Sequence, residues 1–228
     1  MSAWNVFKME LYKNLHDRVS LVMMLILMSV NIIGGLSLSN QHFGVMIAML
    51  FSFSVMGSAV FLFIYPYQMA RTDYKNKVMS LLIASGVSRV QYYFVKVGAT
   101  LIFSFLSFLM LVFLPLLIVL ASHDMALALE ILGFPLEIDA SVLAIGFLGW
   151  LSIFFMLMTS VIIAKGRGIT IFVFMGISFV VAQFSVGFHR TFGGSMWQTN
   201  LTLMAFQYLL IIVAMGGIGI LILRRQDL

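Results

Sequence analysis

The sequence predicts an all-α membrane protein with several transmembrane helices. Hydrophobic residues make up 62% of the 228 residues and charged residues only 9%, whereas ordinary globular domains carry about 25% charged residues. The mean hydropathy is +1.11, and the apolar residues are gathered into long continuous runs. Backbone amides inside lipid must be hydrogen-bonded within their own segment, so these runs are predicted to be helices.

Six runs are long enough to span a bilayer, which requires about 20 apolar residues. They form a single transmembrane domain over residues 1–228. Pro66 lies at the predicted end of the second span, and Pro115 is expected to kink or end the third. The predicted spans are roughly 19–38, 44–66, 92–121, 141–164, 168–187 and 201–223.

The basic residues predict how this domain is oriented. With the N-terminus placed in the cytoplasm, twelve of the thirteen Lys and Arg residues fall on the cytoplasmic side and only Arg190 falls outside. Cytoplasmic loops carry this excess of Lys and Arg in membrane proteins. The sequence therefore predicts a multi-pass protein of the cell membrane with both termini in the cytoplasm. The net charge of +5 is assigned to these loops, and no nucleic-acid partner is expected.

Residues 1–18 have the pattern of an amphipathic helix. Apolar residues recur at steps of three and four along one side, and basic residues occupy the other sides, as in helices that lie in a membrane interface. The alternative is a helix that merely begins the first span. The predicted interface residues are Trp4, Phe7, Lys8, Leu11, Lys13 and Leu15.

The segment RTDYKNKVMSLLIASGVSRVQYYFVK, residues 71–96, is the one long charged stretch between apolar runs. Thr72 is placed to cap a helix over residues 73–84, and Gly86 is placed to end that helix. Ser88-Arg89-Val90-Gln91 fits a capping box that opens the third span. The alternative is a solvated basic loop that only satisfies the charge rule. The apolar side of the predicted helix comprises Tyr74, Val78, Leu81 and Leu82.

The predicted spans hold no acidic residue and no His in their middle. Buried ionisable groups mark proton relays and intramembrane catalysis, so their absence argues against a proton-coupled transporter and a membrane enzyme. The sequence also lacks a G-x-x-x-x-G-K-[ST] motif and any Cys. We therefore expect no ATPase site, metal or cofactor in this chain. Lys96 lies near the inner end of the third span, where its stem could extend to the interface.

Three polar residues lie within the predicted spans: Asn31, Gln183 and Gln207. One interpretation is that they form hydrogen bonds between helices, which polar side chains commonly do inside membranes. The other is that they are polar positions on a translocation path. The sequence leaves both interpretations open.

Three segments, distributed over nearly the whole length of the chain, resemble transmembrane subunits of type-2 ABC exporters. NVFKMELYKNLHDRVSL is similar to the elbow helix of that family, and ARTDYKNKVMSLLIASGVSRVQYYFVKV to its cytoplasmic segment before the third span. FSVGFHRTFGGSMWQTN, before the last span, resembles the short re-entrant element found there in many members. The family includes bacterial permeases that export drugs, polysaccharides and peptides.

The resemblance implies a pair of such subunits, identical or different, bound in the lipid membrane to two copies of a cytoplasmic ATPase. ATP and Mg²⁺ would act on that partner. Residues 72–86 would be the coupling helix that contacts the ATPase. The implied coupling residues are Tyr74, Lys75, Lys77, Val78, Leu81, Leu82 and Arg89.

The short chain, without a large outer domain, favours the compact permeases of this family. These export amphipathic or antimicrobial peptides, or confer antibiotic resistance or immunity to such peptides. Two alternatives stay open: a membrane interaction or immunity protein that transports nothing, and a passive channel. Co-purification of a soluble ATPase would distinguish an exporter subunit from a protein that transports nothing. Flux without ATP in vesicles would indicate a passive channel.

Overall fold

The computed structural model describes residues 3–37, 43–123, 140–192 and 201–226, and this part of the chain is helical without strands. Six of its helices are long and apolar enough to cross a membrane, which confirms the predicted all-α polytopic membrane fold. The helices are α1 (Ala3–Leu15), α2 (Arg18–Ser37), α3 (Phe43–Lys75), α4 (Val78–Ala84), α5 (Arg89–His123), α6 (Ala140–Ile163), α7 (Thr170–Phe192) and α8 (Leu201–Arg225).

The helix of the second predicted span does not end near Pro66. Helix α3 continues through Pro66 to Lys75, and membrane helices tolerate an internal proline where neighbouring groups satisfy the freed carbonyl. Thr72 does not cap a new helix, because its hydroxyl donates to the carbonyl of Gln68 within α3 at 2.9 Å. The helical break comes later, at Lys77, whose φ of 54° is left-handed.

The predicted signals after this break are confirmed. Gly86, with a φ of 91°, follows the end of α4. The amide of Ser88 donates to Oε1 of Gln91 at 3.1 Å, and the amide of Gln91 donates to Oγ of Ser88 at 3.2 Å. This reciprocal pair is the predicted capping box. Helix α5 then continues through Pro115, which does not end it.

The chain divides into two compact units. The C-terminal unit comprises Met1–Ala3, Pro66–Phe94 and Glu137–Leu228, and the N-terminal unit comprises Trp4–Tyr65 and Val95–Leu136. The division passes through α3 and α5, so each of these helices contributes to both units.

The C-terminal unit is built around α6, which packs against α7 and α8. The hydroxyl of Thr159 in α6 donates to the carbonyl of Met215 in α8 at 2.9 Å. Tyr93 is 2% exposed and lies so close to Gly219 that a Cβ on this glycine would be 3.1 Å from the tyrosine ring. The glycine therefore allows the close packing that small residues provide between membrane helices.

The N-terminal unit has an aromatic core between α3 and α5. The rings of Phe61 and Tyr65 stack with centroids 5.5 Å apart, and the Tyr65 and Phe103 centroids are 4.6 Å apart. Ser54 and Ser58 are fully buried one helical turn apart on α3. Their small side chains fit the role of helix-packing positions.

Candidate functional site

In the C-terminal unit, the end of α3 is hydrogen-bonded to α5 and to Gln226, and Gln226 links it to the end of α6. Asp73 is 1% exposed, and its carboxylate accepts a hydrogen bond of 3.0 Å from the hydroxyl of Tyr92 in α5. The hydroxyl of Tyr74 donates to Oε1 of Gln226, just beyond α8, at 3.2 Å. Nε2 of the Gln226 side chain donates in turn to the carbonyl of Ile162 in α6 at 2.8 Å. We call these five residues the basal network.

Arg89 strengthens the same junction. Its Nη1 donates to the carbonyls of Arg224 at 2.6 Å and Gln226 at 2.8 Å, with a third contact of 3.3 Å to Leu223. The last carbonyls of a helix lack intrahelical partners, and a cation there also interacts favourably with the helix dipole. Arg89 therefore binds the end of α8, and its assignment to ATPase contact stays a prediction.

Helix α4 presents a smaller apolar surface than predicted. Leu81 is 68% exposed, whereas Met79 and Leu82 are 3% and 8% exposed and pack inward. Tyr74 belongs to α3, so the prediction of one continuous apolar side from Tyr74 to Leu82 was wrong. The left-handed backbone of Lys77 separates the two helices and changes the direction in which their side chains point.

A basic cavity of about 550 Å³ lies between the end of α3 and the turn that joins α6 to α7. We call it the basic pocket. Its four cationic side chains are exposed. Lys165 and Gly166 both have positive φ angles, 50° and 65°, which make this turn tight. The lining residues are Arg71, Tyr74, Lys75, Lys165, Gly166, Arg167 and Gly168.

The seven predicted coupling residues therefore fall into separate environments. Tyr74 and Lys75 line the basic pocket. Lys77 and Leu81 are exposed at the linker and on α4, Val78 is half-buried, Leu82 is buried, and Arg89 binds the end of α8. The structure shows no single coupling surface made of all seven.

Helix α1 ends at Leu15 and α2 begins at Arg18, so the two are separate helices, and the elbow role of α1 stays a prediction. Asp17 caps α2, because its carboxylate accepts hydrogen bonds from the amide of Ser20, at 3.1 Å, and from the Ser20 hydroxyl. All six predicted interface residues are exposed or half-buried, and Trp4 is 60% exposed. The surface they form is available to lipid, and its location in the membrane interface stays a prediction.

The buried side of α1 was not predicted. It consists of Val6, Glu10 and Asn14, one turn apart, and each is fully buried. The carboxylate of Glu10 pairs with Nζ of Lys96 in α5 at 2.8 Å, and Lys96 is only 4% exposed. The expectation that the Lys96 side chain extends to the interface was therefore wrong, because a buried carboxylate holds it inside the N-terminal unit.

Two of the three predicted path residues make interhelical hydrogen bonds. Asn31 in α2 is 6% exposed and donates to the carbonyl of Leu111 in α5 at 3.4 Å. Gln207 in α8 is 5% exposed and donates to the hydroxyl of Ser185 in α7. Gln183 is exposed on α7. The interpretation that these residues form hydrogen bonds between helices is therefore confirmed for Asn31 and Gln207. A role in translocation stays a prediction.

The segment before the last span is partly described. Helix α7 extends to Phe192, so residues 184–192 continue a helix. The remaining part of the segment that resembles a re-entrant element, residues 193–200, lies outside the described residues, as do residues 124–139 between the third and fourth predicted spans.

Comparison with known proteins finds no matching family model, no similar curated protein and no similar solved structure. Within the described ranges, no three His, Asp or Glu side chains are grouped so that they could hold a metal ion. The expectation that this chain has no catalytic site or cofactor of its own stays a prediction.

Proposed function

We propose that this chain is the transmembrane permease subunit of a type-2 ABC exporter. It would form the path for an amphipathic substrate, such as an antimicrobial or toxin peptide, and a separate cytoplasmic ATPase would drive it. The observation that carries this proposal is α4, a short helix with one exposed leucine that joins two membrane helices, both of which contribute residues to the basal network. The peptide substrate rests on the family resemblance alone.

The contacts of α4 suit a coupling element. Met79 and Leu82 are buried, so α4 is packed against its unit rather than suspended as a free loop. The helices that it joins, α3 and α5, are hydrogen-bonded to each other and to the ends of α6 and α8 by the basal network and Arg89. A displacement of α4 would therefore reach four membrane helices of the C-terminal unit together.

A second permease subunit, identical or different, is part of the proposal, and α7 is a helix to which it could bind. Thr170, at its start, is the one buried residue of α7, and Phe172 and Phe179 are 73% and 66% exposed. Lipid or a neighbouring subunit could cover these side chains, because both offer apolar contacts. The pairing itself follows from the resemblance, and the exposed side of α7 is compatible with it.

The docking role of α4 predicts that Leu81→Asp abolishes binding of the ATPase. Leu81 is 68% exposed, so the change should leave the fold and the membrane level unaltered, whereas a carboxylate buried in the interface would lose its hydration. Leu81→Met, which retains an apolar side chain, should bind normally. The measurement is co-purification of an ATP-binding-cassette subunit from native membranes, identified by mass spectrometry.

Full ATPase recovery with Leu81→Asp would contradict docking through this residue. If no such ATPase co-purifies with the unaltered chain, the non-transporting alternative is favoured. ATP-independent flux in vesicles containing the purified chain alone would favour a passive channel. Leu82→Asp is unsuitable for the docking test, because Leu82 is buried and the change would disturb folding.

The proposed orientation, with both termini in the cytoplasm of the cell membrane, is testable with single cysteines, since the chain contains none. A membrane-impermeant thiol reagent should label Asp124→Cys in intact cells. The same reagent should label Lys75→Cys only after the cells are permeabilised. Twelve of the thirteen basic residues favour this result. The opposite labelling pattern would mean that the orientation is inverted.

A further inference from the structure

We propose that the basic pocket of the C-terminal unit binds the phosphate group of an anionic lipid, such as phosphatidylglycerol. This inference does not depend on the proposed export function. It requires only the pocket at the end of α3 and the membrane that surrounds these helices.

The pocket brings together cations from two distant parts of the chain. Arg71 and Lys75 lie one turn apart at the end of α3, and Lys165 and Arg167 lie in the turn between α6 and α7. Arginine offers a planar fork of donors that matches phosphate oxygens, and lysine adds a mobile charge. Side chains on both walls could therefore contact one phosphate in a cavity of about 550 Å³.

No carboxylate of the described residues lines the basic pocket. The described ranges of this unit, 66–94, 140–192 and 201–226, contain one carboxylate, that of Asp73. Asp73 is 1% exposed and accepts a hydrogen bond from Tyr92. It does not line the pocket. Four like charges around one cavity repel one another, so a bound anion would lower the electrostatic energy of this region.

A lipid suits the position of the pocket better than a soluble phosphate does. The pocket lies where α3 and α6 end and α7 begins, and all three are long enough to span a membrane. Apolar side chains adjoin the lining residues in the chain: Ile169 is 56% exposed and Phe172 is 73% exposed. A lipid could place its phosphate among the cations and its acyl chains against these residues. A soluble phosphate would use only the charged part.

The test measures lipid binding to the purified full chain in neutral detergent by native mass spectrometry. The probes are phosphatidylglycerol, phosphatidylcholine with the same acyl chains, and glycerol phosphate as a competitor. The pocket variant is Arg71→Gln/Arg167→Gln. The matched control, Lys77→Gln/Arg225→Gln, removes the same charge from two exposed cations that do not line the pocket.

We expect phosphatidylglycerol to bind more tightly than phosphatidylcholine, and the pocket variant to weaken its binding by about tenfold or more. The control should change it by no more than about twofold. Added salt should weaken the interaction, since the charges are exposed. If glycerol phosphate displaces the lipid at equal concentration, the pocket recognises phosphate, but its ligand is a soluble phosphate and not a lipid.

Three results would overturn the proposal. The first is equal weakening by the pocket and control variants, which would show a general effect of charge. The second is undiminished lipid binding by the pocket variant. The third is loss of the ATPase from a pocket variant that still binds phosphatidylglycerol, which would make the pocket a protein-docking surface. All four substituted residues are exposed, so both variants should have the same thermal stability. Measuring that stability checks that a difference in lipid binding does not come from unfolding.

Discussion

Lys96→Met is expected to lower the free energy of unfolding by about 3–5 kcal/mol, the typical cost of removing one partner of a buried ion pair. Lys96 and Glu10 are 4% and 0% exposed, and their 2.8 Å contact joins α1 to α5. Without the lysine, the Glu10 carboxylate would be left buried without its cation. The second carboxylate oxygen already has no hydrogen-bond partner among the described residues, so it offers no compensation.

Thermal unfolding in detergent, followed by size-exclusion chromatography, measures this loss. Lys8→Met is the matched control, because Lys8 is an exposed cation on the same helix as Glu10, and losing its contact with the Trp4 ring, 5.4 Å from Nζ, should cost no more than about 1 kcal/mol. The double variant Glu10→Leu/Lys96→Met removes both charges and should recover most of the stability. If Lys96→Met is as stable as Lys8→Met, the ion pair does not hold α1 in place.

Arg89→Met is expected to cost about 2–3 kcal/mol, because hydrogen bonds to charged groups contribute about 1.5–3 kcal/mol and a helix-terminal cation adds to this. The variant leaves the carbonyls of Arg224 and Gln226 without the guanidinium that lies 2.6 and 2.8 Å away. Arg89→Lys should recover only part of the loss, since lysine lacks the fixed planar fork of donors.

Amide hydrogen exchange locates the effect of Arg89→Met. The last turn of α8, residues 222–226, should exchange faster, while the start of α8 should be unchanged. Arg225→Met is the control, because this exposed residue makes no corresponding contact with α5 in the described structure. Unchanged exchange at the end of α8 in Arg89→Met would contradict the role of Arg89 as its cap.

Several features of the fold were predictable because they depend on neighbouring residues. The apolar runs set the six candidate spans, since length and hydropathy decide whether a helix can cross a bilayer. The capping box at Ser88 and Gln91 and the stop at Gly86 were also predictable, because their hydrogen bonds and backbone angles involve residues at most a few positions apart. The end of α3 was not, because Pro66 and Thr72 carried a local signal that the surrounding helices override.

The residues of the candidate site show the limit of sequence reasoning. The amino acids at positions 71–89 indicated a charged segment with a short helix. The family resemblance suggested that this helix contacts an ATPase. Only the tertiary structure revealed that Leu81 is exposed while Leu82 is buried. The left-handed backbone of Lys77 ends the helical periodicity of α3, so the side of α4 that faces inward could not be deduced by continuing that periodicity.

From the sequence alone, the all-α membrane fold, six candidate spans and the charged segments between them were predictable. The tertiary structure decided which charges are buried, paired or gathered. Glu10 and Lys96 are 86 positions apart, and Arg89 and Arg224 are 135 positions apart. The basic pocket likewise combines the end of α3 with the turn after α6. Hydropathy and capping act over a few residues, whereas pairing and electrostatic repulsion depend on distances that exist only after the helices have packed.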